Sequence, residues 1–292
     1  MSRRIAGFAL ALFISACAGN TAGDALCTDA TRVATLPPAL DEASGIALSR
    51  RNPGMLWVHN DSEGTPALYA LRADGSLRAE IELPDAGAQS DWEDIAAGPC
   101  PHDHCLYIGD IGDNFHDRED RAILRVPEPH PDDRVVTGVE RFPFQYPDGP
   151  RDAEALVVLP DTTVLIITKG RDGPVTVYRY PAPFQADHRV TLVPVQQLTP
   201  GLVQLPDLVT GASATPDGQY VAVRSYSHLQ LYRFVEDTLA AAWTHPGFDL
   251  AALDEPQGEG VALAADGTVY LVSETGPARL PAPLSLLRCL LP

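Results

Sequence analysis

Three glutamates recur at matching places in a repeated pattern. Glu93 stands in Asp91-Trp92-Glu93-Asp94-Ile95-Ala96, Glu154 in Asp152-Ala153-Glu154-Ala155-Leu156-Val157, and Glu259 in Gly258-Glu259-Gly260-Val261-Ala262. Each is followed by an apolar run, a turn and a second apolar run ending in a polar residue: Asp110, Lys169 and Glu274. Two further copies place Ser44 and Thr210 where the glutamates stand, and Asn60 and Arg224 at the end of the second run. Carboxylates brought together by such a repeat repel one another when ionised. A cation, a basic side chain or a retained proton must offset that repulsion. A hard cation such as Ca²⁺ takes about six to eight oxygen ligands and suits a loose carboxylate cluster. Asp110-Ile111-Gly112-Asp113-Asn114 adds oxygen ligands, without the spacing of an EF-hand loop. The expected metal set is therefore Glu93, Asp110, Asp113, Glu154 and Glu259, with Ca²⁺ as the cofactor. Asn60, Lys169, Arg224 and Glu274 are the expected ligand-facing residues. In the competing reading, the glutamates accept hydrogen bonds from backbone, Lys169 and Arg224, and tie the repeats together. Lys169 is the only lysine in the chain, so its position carries more information than that of any one arginine.

No catalytic residue can be assigned. There is no Gly-x-Ser-x-Gly elbow, no His-Glu-x-x-His and no Walker-type loop. His59, Asp61 and Ser62 are neighbours in sequence, which is not the geometry of a triad. Trp57 and Trp92 read as packing residues and Glu128 as an anchor for its loop.

The elements that must position these residues are short strands bounded by Gly, Pro and Asp. Each pair of runs continues into a third strand (67–71, 122–126, 175–179, 229–233) and a fourth (77–83, 140–146, 190–198, 238–244). The period is irregular, about 50–60 residues, at or just above that of propeller blades. The fifth unit stops after its third strand, at residues 284–289, and a lone strand at 32–36 can supply the missing fourth. The expected fold is all-β: a single five-bladed β-propeller closed by the N-terminal strand. A sixth, degenerate blade within residues 115–150 is the alternative.

Four cysteines besides Cys17 allow three pairings. Cys100 and Cys105 flank a Pro-containing turn, which makes a local bridge the natural choice and leaves Cys27 with Cys289, stapling the ring closure. The alternative for Cys100-Pro-His102-Asp-His104-Cys105 is zinc, which an oxidising compartment disfavours.

The N-terminus gives an address. Ser2-Arg3-Arg4 precedes an apolar run over residues 5–14, shorter than a stable spanning helix. Ile14-Ser15-Ala16-Cys17 resembles a bacterial lipoprotein box. That resemblance implies a signal peptide over residues 1–16, cleavage before Cys17 and lipidation of that residue. Ala18 in place of Asp then implies the periplasmic face of the outer membrane. Residues 17–30 read as a tether and 31–292 as the propeller. The chain carries a formal charge of −18, which excludes general binding to nucleic acid or anionic lipid through a basic surface.

The run Trp92-Glu93-Asp94-Ile95-Ala96, then residues 107–114, then Val126-Pro127-Glu128-Pro129 and Asp152-Ala153-Glu154-Ala155-Leu156 resembles a family of exported bacterial propellers that lacks an assigned activity. The resemblance covers nearly all of the expected mature chain. More remotely, the architecture is similar to β-propeller phytases and to WD40-like and NHL-like repeats. Two functions follow as expectations. One is a monomeric, lipid-anchored module that binds a small ligand or a protein, with a cation in its channel. The other is a metal-dependent hydrolase of phosphate esters that uses the channel carboxylates.

Overall fold

The structure, a computed structural model, describes residues 26–292 apart from Asp29, Glu63, Ser90, His102 and His245. The expected signal segment and Cys17 lie outside the described residues. No helix among the described residues is long and apolar enough to cross a membrane.

Strand β1 (Thr31–Thr35) comes first and is used last. Blade one is β2 (Ala43–Leu48), β3 (Met55–Asn60), β4 (Ala67–Arg72) and β5 (Leu77–Glu82). Blade two is β6 (Trp92–Cys100), β7 (Asp103–Asp110), β8 (Ala122–Pro127) and β9 (Glu140–Gln145). Blade three starts with β10 (Ala153–Val158), β11 (Val164–Thr168) and β12 (Pro174–Arg179). The short β13 (Val190–Thr191) then lies parallel to β9 on the outer edge of blade two, and β14 (Val193–Leu202) completes blade three. Blade four is β15 (Val209–Ala214), β16 (Tyr220–Ser225), β17 (His228–Val235) and β18 (Thr238–Ala241), with β19 (Phe248–Asp249) paired to the far end of β17. Blade five is β20 (Gln257–Leu263), β21 (Thr268–Glu274) and β22 (Pro283–Arg288), and β1 pairs antiparallel with β22 as its fourth strand.

The fold is thus a five-bladed β-propeller closed by its N-terminal strand. Residues 115–150 hold β8, β9 and their connection, so the sixth-blade alternative falls. The strand expected over 190–198 is divided: its first residues extend blade two, and β14 begins later and runs to Leu202. Disulfides join Cys27 to Cys289 and Cys100 to Cys105. The second bridge removes the thiolates that a zinc site would need.

Three hairpins turn on Asp-Gly. Asp74, Asp217 and Asp266 each accept the amide two residues on, at 2.9, 3.0 and 3.0 Å, and the following glycine takes a positive φ. These are Asx turns, in which the side chain replaces a backbone acceptor and glycine adopts the left-handed conformation without strain. Five apolar cores fill the seams between adjacent blades. Trp57 and Trp92 share the seam between blades one and two. Burial of this kind is worth about 25 cal/mol per Å² of apolar surface and holds the ring together. Glu128 fixes its loop to blade one. It accepts from Trp57 Nε1 at 2.9 Å, from the Arg51 and Arg50 amides at 3.1 and 3.3 Å, and from the Ser49 hydroxyl.

Candidate functional site

Every inner strand carries a β-bulge near its start. The register slips between Ala43 and Ile46, Trp92 and Asp94, Ala153 and Ala155, Val209 and Gly211, and Gly258 and Val261. Ser44, Glu93, Glu154, Thr210 and Glu259 all lie within these bulges. A bulge leaves a residue outside the ladder and re-aims its side chain, so the repeat delivers the same position to the channel from each blade. Ser44 and Thr210 donate to the carbonyls of Glu93 and Glu259, at 2.6 and 2.9 Å. The hydroxyls therefore tie neighbouring bulges together, and Glu93 and Glu154 bring their carboxylates together.

Carboxylate oxygens of Asp61, Asp91 and Glu93 lie within 4.8 Å of one another, and so do those of Glu93, Asp152 and Glu154. Glu93 belongs to both groups. Glu93, Asp152 and Glu154 are buried, while Asp61 and Asp91 are half-buried. The loop after β7 closes over them. A Cβ at Gly112 would lie 2.1 Å from Glu93 Oε1 and 2.5 Å from the Asp91 carboxyl, so a side chain there would push both carboxylates from their places.

Basic groups offset part of this charge. Lys169 Nζ bonds Glu154 Oε1, and Arg171 Nη2 lies 2.7 Å from Asp152 Oδ2. Arg118 Nη1 stands 3.9 Å from Asp91, but its shorter bonds go to Asp110 at 2.6 Å and the Gly112 carbonyl at 2.8 Å. Acids remain in excess, and their proton affinities rise. Burial foremost, then Asp91, Glu274 and Glu154, push Asp61 up to about 9. Burial raises Glu154 to about 7 against the pull of Lys169. Burial followed by Glu154 pushes both Glu93 and Glu259 well above the ordinary carboxyl value. Lys169 answers in kind: its burial opposes charge, and Glu154 more than compensates, holding the ammonium above its ordinary value.

Of the other expected residues, Glu259 faces Glu154 without joining either group. Its Oε1 accepts from Gln257 at 2.8 Å, and its buried Oε2 has no hydrogen-bond partner. Glu274 is half-buried nearby and raised to about 7 by burial, then by Glu42 and Glu154. Asp110 and Asp113 do not join the group. Arg118 and Arg141 hold Asp110 at 2.6 and 3.4 Å, and Arg121 holds Asp113, which also accepts the Asp117 and Arg118 amides at 2.9 and 3.1 Å. Asn60 donates to the Ala39 carbonyl at 2.8 Å. Arg224 is fully buried and clamps blade four to blade five through the carbonyls of Gly260 and Val272, at 2.8 and 2.9 Å, and through Glu255.

Asp61, Asp91 and Asp152 are the site residues that the sequence reading did not assign. A signal was present for two of them: Asp91-Trp92-Glu93 and Asp152-Ala153-Glu154 share an acid two places before the bulged glutamate. Asp61 follows the second strand of blade one, where the other blades offer no matching run of acids.

No family model and no curated protein matches the chain by sequence. Solved structures match it by shape. The PQQ-bound aldose sugar dehydrogenase from Streptomyces coelicolor is 13% identical with a TM-score of 0.53, covering 89% of this chain and 98% of that one. A glucose dehydrogenase is 11% identical with a TM-score of 0.51, covering 91% and 100%. A gluconolactonase from Xanthomonas campestris is 11% identical with a TM-score of 0.49, covering 89% of each chain. At these identities the likeness to the two dehydrogenases is one of fold alone, that of a β-propeller.

Proposed function

We propose that this chain is a lipid-anchored, extracytoplasmic binding module whose channel mouth holds a hard divalent cation, Ca²⁺ foremost, and presents it to an oxygen-rich ligand or a partner protein. The observation that carries the reading is the double use of Glu93. Four other carboxylates meet it in two overlapping groups, with Lys169 and Arg171 as the bonded counter-charges. Oxygen-only ligands, partial burial and excess negative charge suit Ca²⁺ rather than a metal that prefers nitrogen or sulfur. The basic start, the apolar run over residues 5–14 and Cys17 support export and acylation, and the likeness of residues 92–96, 107–114, 126–129 and 152–156 to exported bacterial propellers supports the same address. Ala18 supports the periplasmic face of the outer membrane. The acidic surface supports a monomer that leaves nucleic acid alone.

The second reading is a cation-assisted phosphoesterase. Glu274 favours it: a half-buried carboxyl raised to about 7 beside the cluster can pass a proton to or from a bound water. A thermal melt in chelator, then with Ca²⁺, Mg²⁺ or Mn²⁺, tests the cation. A ligand that binds only the folded state raises the melting temperature by mass action. A rise with Ca²⁺ that Glu154→Gln abolishes is the expected result. No shift with any cation would overturn the reading and leave the channel acids as protonated or ion-paired struts. Phosphate release from p-nitrophenyl phosphate by the Ca²⁺-loaded chain, lost in Glu274→Gln, would favour the hydrolase.

A further inference from the structure

The far end of the channel carries the opposite chemistry. Each inner strand runs from its bulge to a hairpin on the other face of the ring. Four of these hairpins wall a cavity of about 180 Å³: Arg50 comes from blade one, Pro99 and His104 from blade two, Pro160 from blade three and Pro216 from blade four. A smaller cavity of about 20 Å³ shares Arg50, Ala97 and Val158 with it and reaches Leu263 on the inner strand of blade five. Among the described residues, the larger cavity is lined by Ala, Gly, Pro and Val apart from Arg50 and His104. A mostly apolar hollow with a few convergent polar groups is the usual form of a small-molecule site.

Arg50 is the unpaired charge there. It is half-buried, and its backbone amide donates to Glu128 at 3.3 Å. Its guanidinium makes no hydrogen bond or ion pair with any described residue. Glu128 and Asp217 are the acids near enough to favour its charge, but their oxygens are taken up elsewhere. Glu128 accepts from Trp57, the Ser49 hydroxyl and the Arg50 and Arg51 amides. Asp217 Oδ1 accepts from the Thr215 hydroxyl and the Gln219 amide, at 2.6 and 3.0 Å. Burial outweighs both acids and lowers the guanidinium below its ordinary value. A guanidinium offers five donors and no acceptor, so a partly desolvated one with no bonded acceptor is short of an anion. His104 lines the same cavity, with its Nε2 3.6 Å from the exposed Asp103 carboxylate, too far for a hydrogen bond. The channel acids lie at the other end: β2 puts roughly 15 Å of strand between Arg50 and the bulge at Ser44.

We propose that this end of the channel is a second binding site, for a small singly charged carboxylate with an apolar body. The planar fork of Arg50 matches the two carboxylate oxygens, and the prolines and Val158 receive the body. An apolar space of about 150 Å³ is enough for a benzene ring. One guanidinium on a chain of net charge −18 suits a single negative charge better than a dianion. The site goes beyond the carboxylate cluster and needs no cation.

The test is ligand-detected NMR titration of the full chain with benzoate, benzamide and inorganic phosphate, in chelator throughout. Benzoate is expected to bind saturably. Benzamide, which has the same shape without the charge, is expected to bind at least about tenfold more weakly, because the charge-assisted pair is the stronger kind. Phosphate should also bind more weakly than benzoate, for want of an apolar body. Arg50→Met is expected to bring benzoate down to the level of benzamide and to leave the melt unchanged, since no guanidinium bond is lost. Position is read separately from the His104 ring-proton signal, identified by its absence in His104→Gln, which should shift as benzoate binds. That shift decides the matter if Arg50→Met does not fold. The proposal is overturned if benzoate shows no saturable binding, or if benzamide or phosphate matches it. It also falls if folded Arg50→Met binds like the parent chain, or if the His104 signal stays still while benzoate binds. Failure of the cation melt leaves this test untouched, because no cation enters it.

Discussion

Asp94 and Ala212 stand 118 residues apart in the chain, yet the Asp94 carboxylate accepts the Ala212 amide at 3.1 Å. The same oxygen accepts the Leu156 amide at 2.8 Å, and the other oxygen accepts Ile95 at 2.9 Å. One side chain thereby joins blades two, three and four across the axis. The residue following each bulge elsewhere is Gly45, Ala155, Gly211 or Gly260, so the inner strands leave room for one long side chain at this level. A Cβ at Gly45 would fall 2.7 Å from the Ile95 amide and 2.9 Å from the Asp94 carbonyl carbon.

Asp94→Ala should therefore cost more than an ordinary polar truncation. It leaves buried amides of three blades without their acceptor, and each unmet buried donor carries its full desolvation cost. A loss of about 3 kcal/mol is expected by urea denaturation. Calorimetry should show the midpoint lowered by about 6–12 °C for a ring of this size. Asp94→Asn keeps one acceptor but turns an NH₂ group toward an amide donor, and should fall between the two. An unchanged midpoint for Asp94→Ala would mean that the seams alone hold the blades in register.

The channel acids give the metal-free chain an unusual pH dependence. Glu154 and Glu274 are held at about 7 and Asp61 at about 9, all above their unfolded values. Between the unfolded and folded values, the folded state binds the more protons, so stability falls as pH rises. The depressed surface acids Asp148, Asp217 and Asp266 act oppositely, but their effect is confined to more acidic solution. In chelator, the melt should therefore be higher at pH 5 than at pH 8. Ca²⁺ should raise it more at pH 8, where it competes with fewer protons. A chelated chain that is more stable at pH 8 than at pH 5 would show that the acids are ionised and already balanced.

The ring was legible because a propeller repeats itself. The bulged Glu93, Glu154 and Glu259 could be aligned from sequence alone, and the unmatched strand at 32–36 had one place to go. Which acids converge was less legible, because convergence depends on loops that do not repeat. Asp110 and Asp113 sit in an acid-rich run that reads as ligands. The fold instead brings Arg118, Arg121 and Arg141 onto them, from the loop and strand that follow. Arg224 reads as a channel cation, but Gly258 opposite has no side chain, so the guanidinium buries itself in blade five.

The two disulfides should differ in weight. Cys27–Cys289 spans 262 residues and Cys100–Cys105 spans 5. Chain-entropy reasoning assigns about 5.6 kcal/mol to the long closure and about 2 kcal/mol to the short one. Serine pairs at each bridge, compared by urea midpoint, should show the greater loss for Cys27 and Cys289. Amide exchange should then rise first in β1 and β22, because β1 would be held by strand pairing alone. Equal losses would mean that the β1–β22 ladder already fixes the closure.

Lys169→Met separates the two roles of the channel acids. The ammonium bonds the buried Glu154, and removing one partner of a buried pair costs about 3–5 kcal/mol when the other stays charged. Glu154 can take up a proton instead, so the loss in chelator should be small at pH 5 and should grow toward pH 8. The variant also frees a carboxylate oxygen that the ammonium occupies. If the cation shares Glu154, calorimetric titration with Ca²⁺ at pH 8 should show affinity about tenfold higher than in the parent chain, the effect of removing one nearby like charge from the site. Weaker Ca²⁺ binding in the variant would instead make Lys169 a support that holds Glu154 in place for the metal, and unchanged binding would put the cation among Asp61, Asp91 and Glu93.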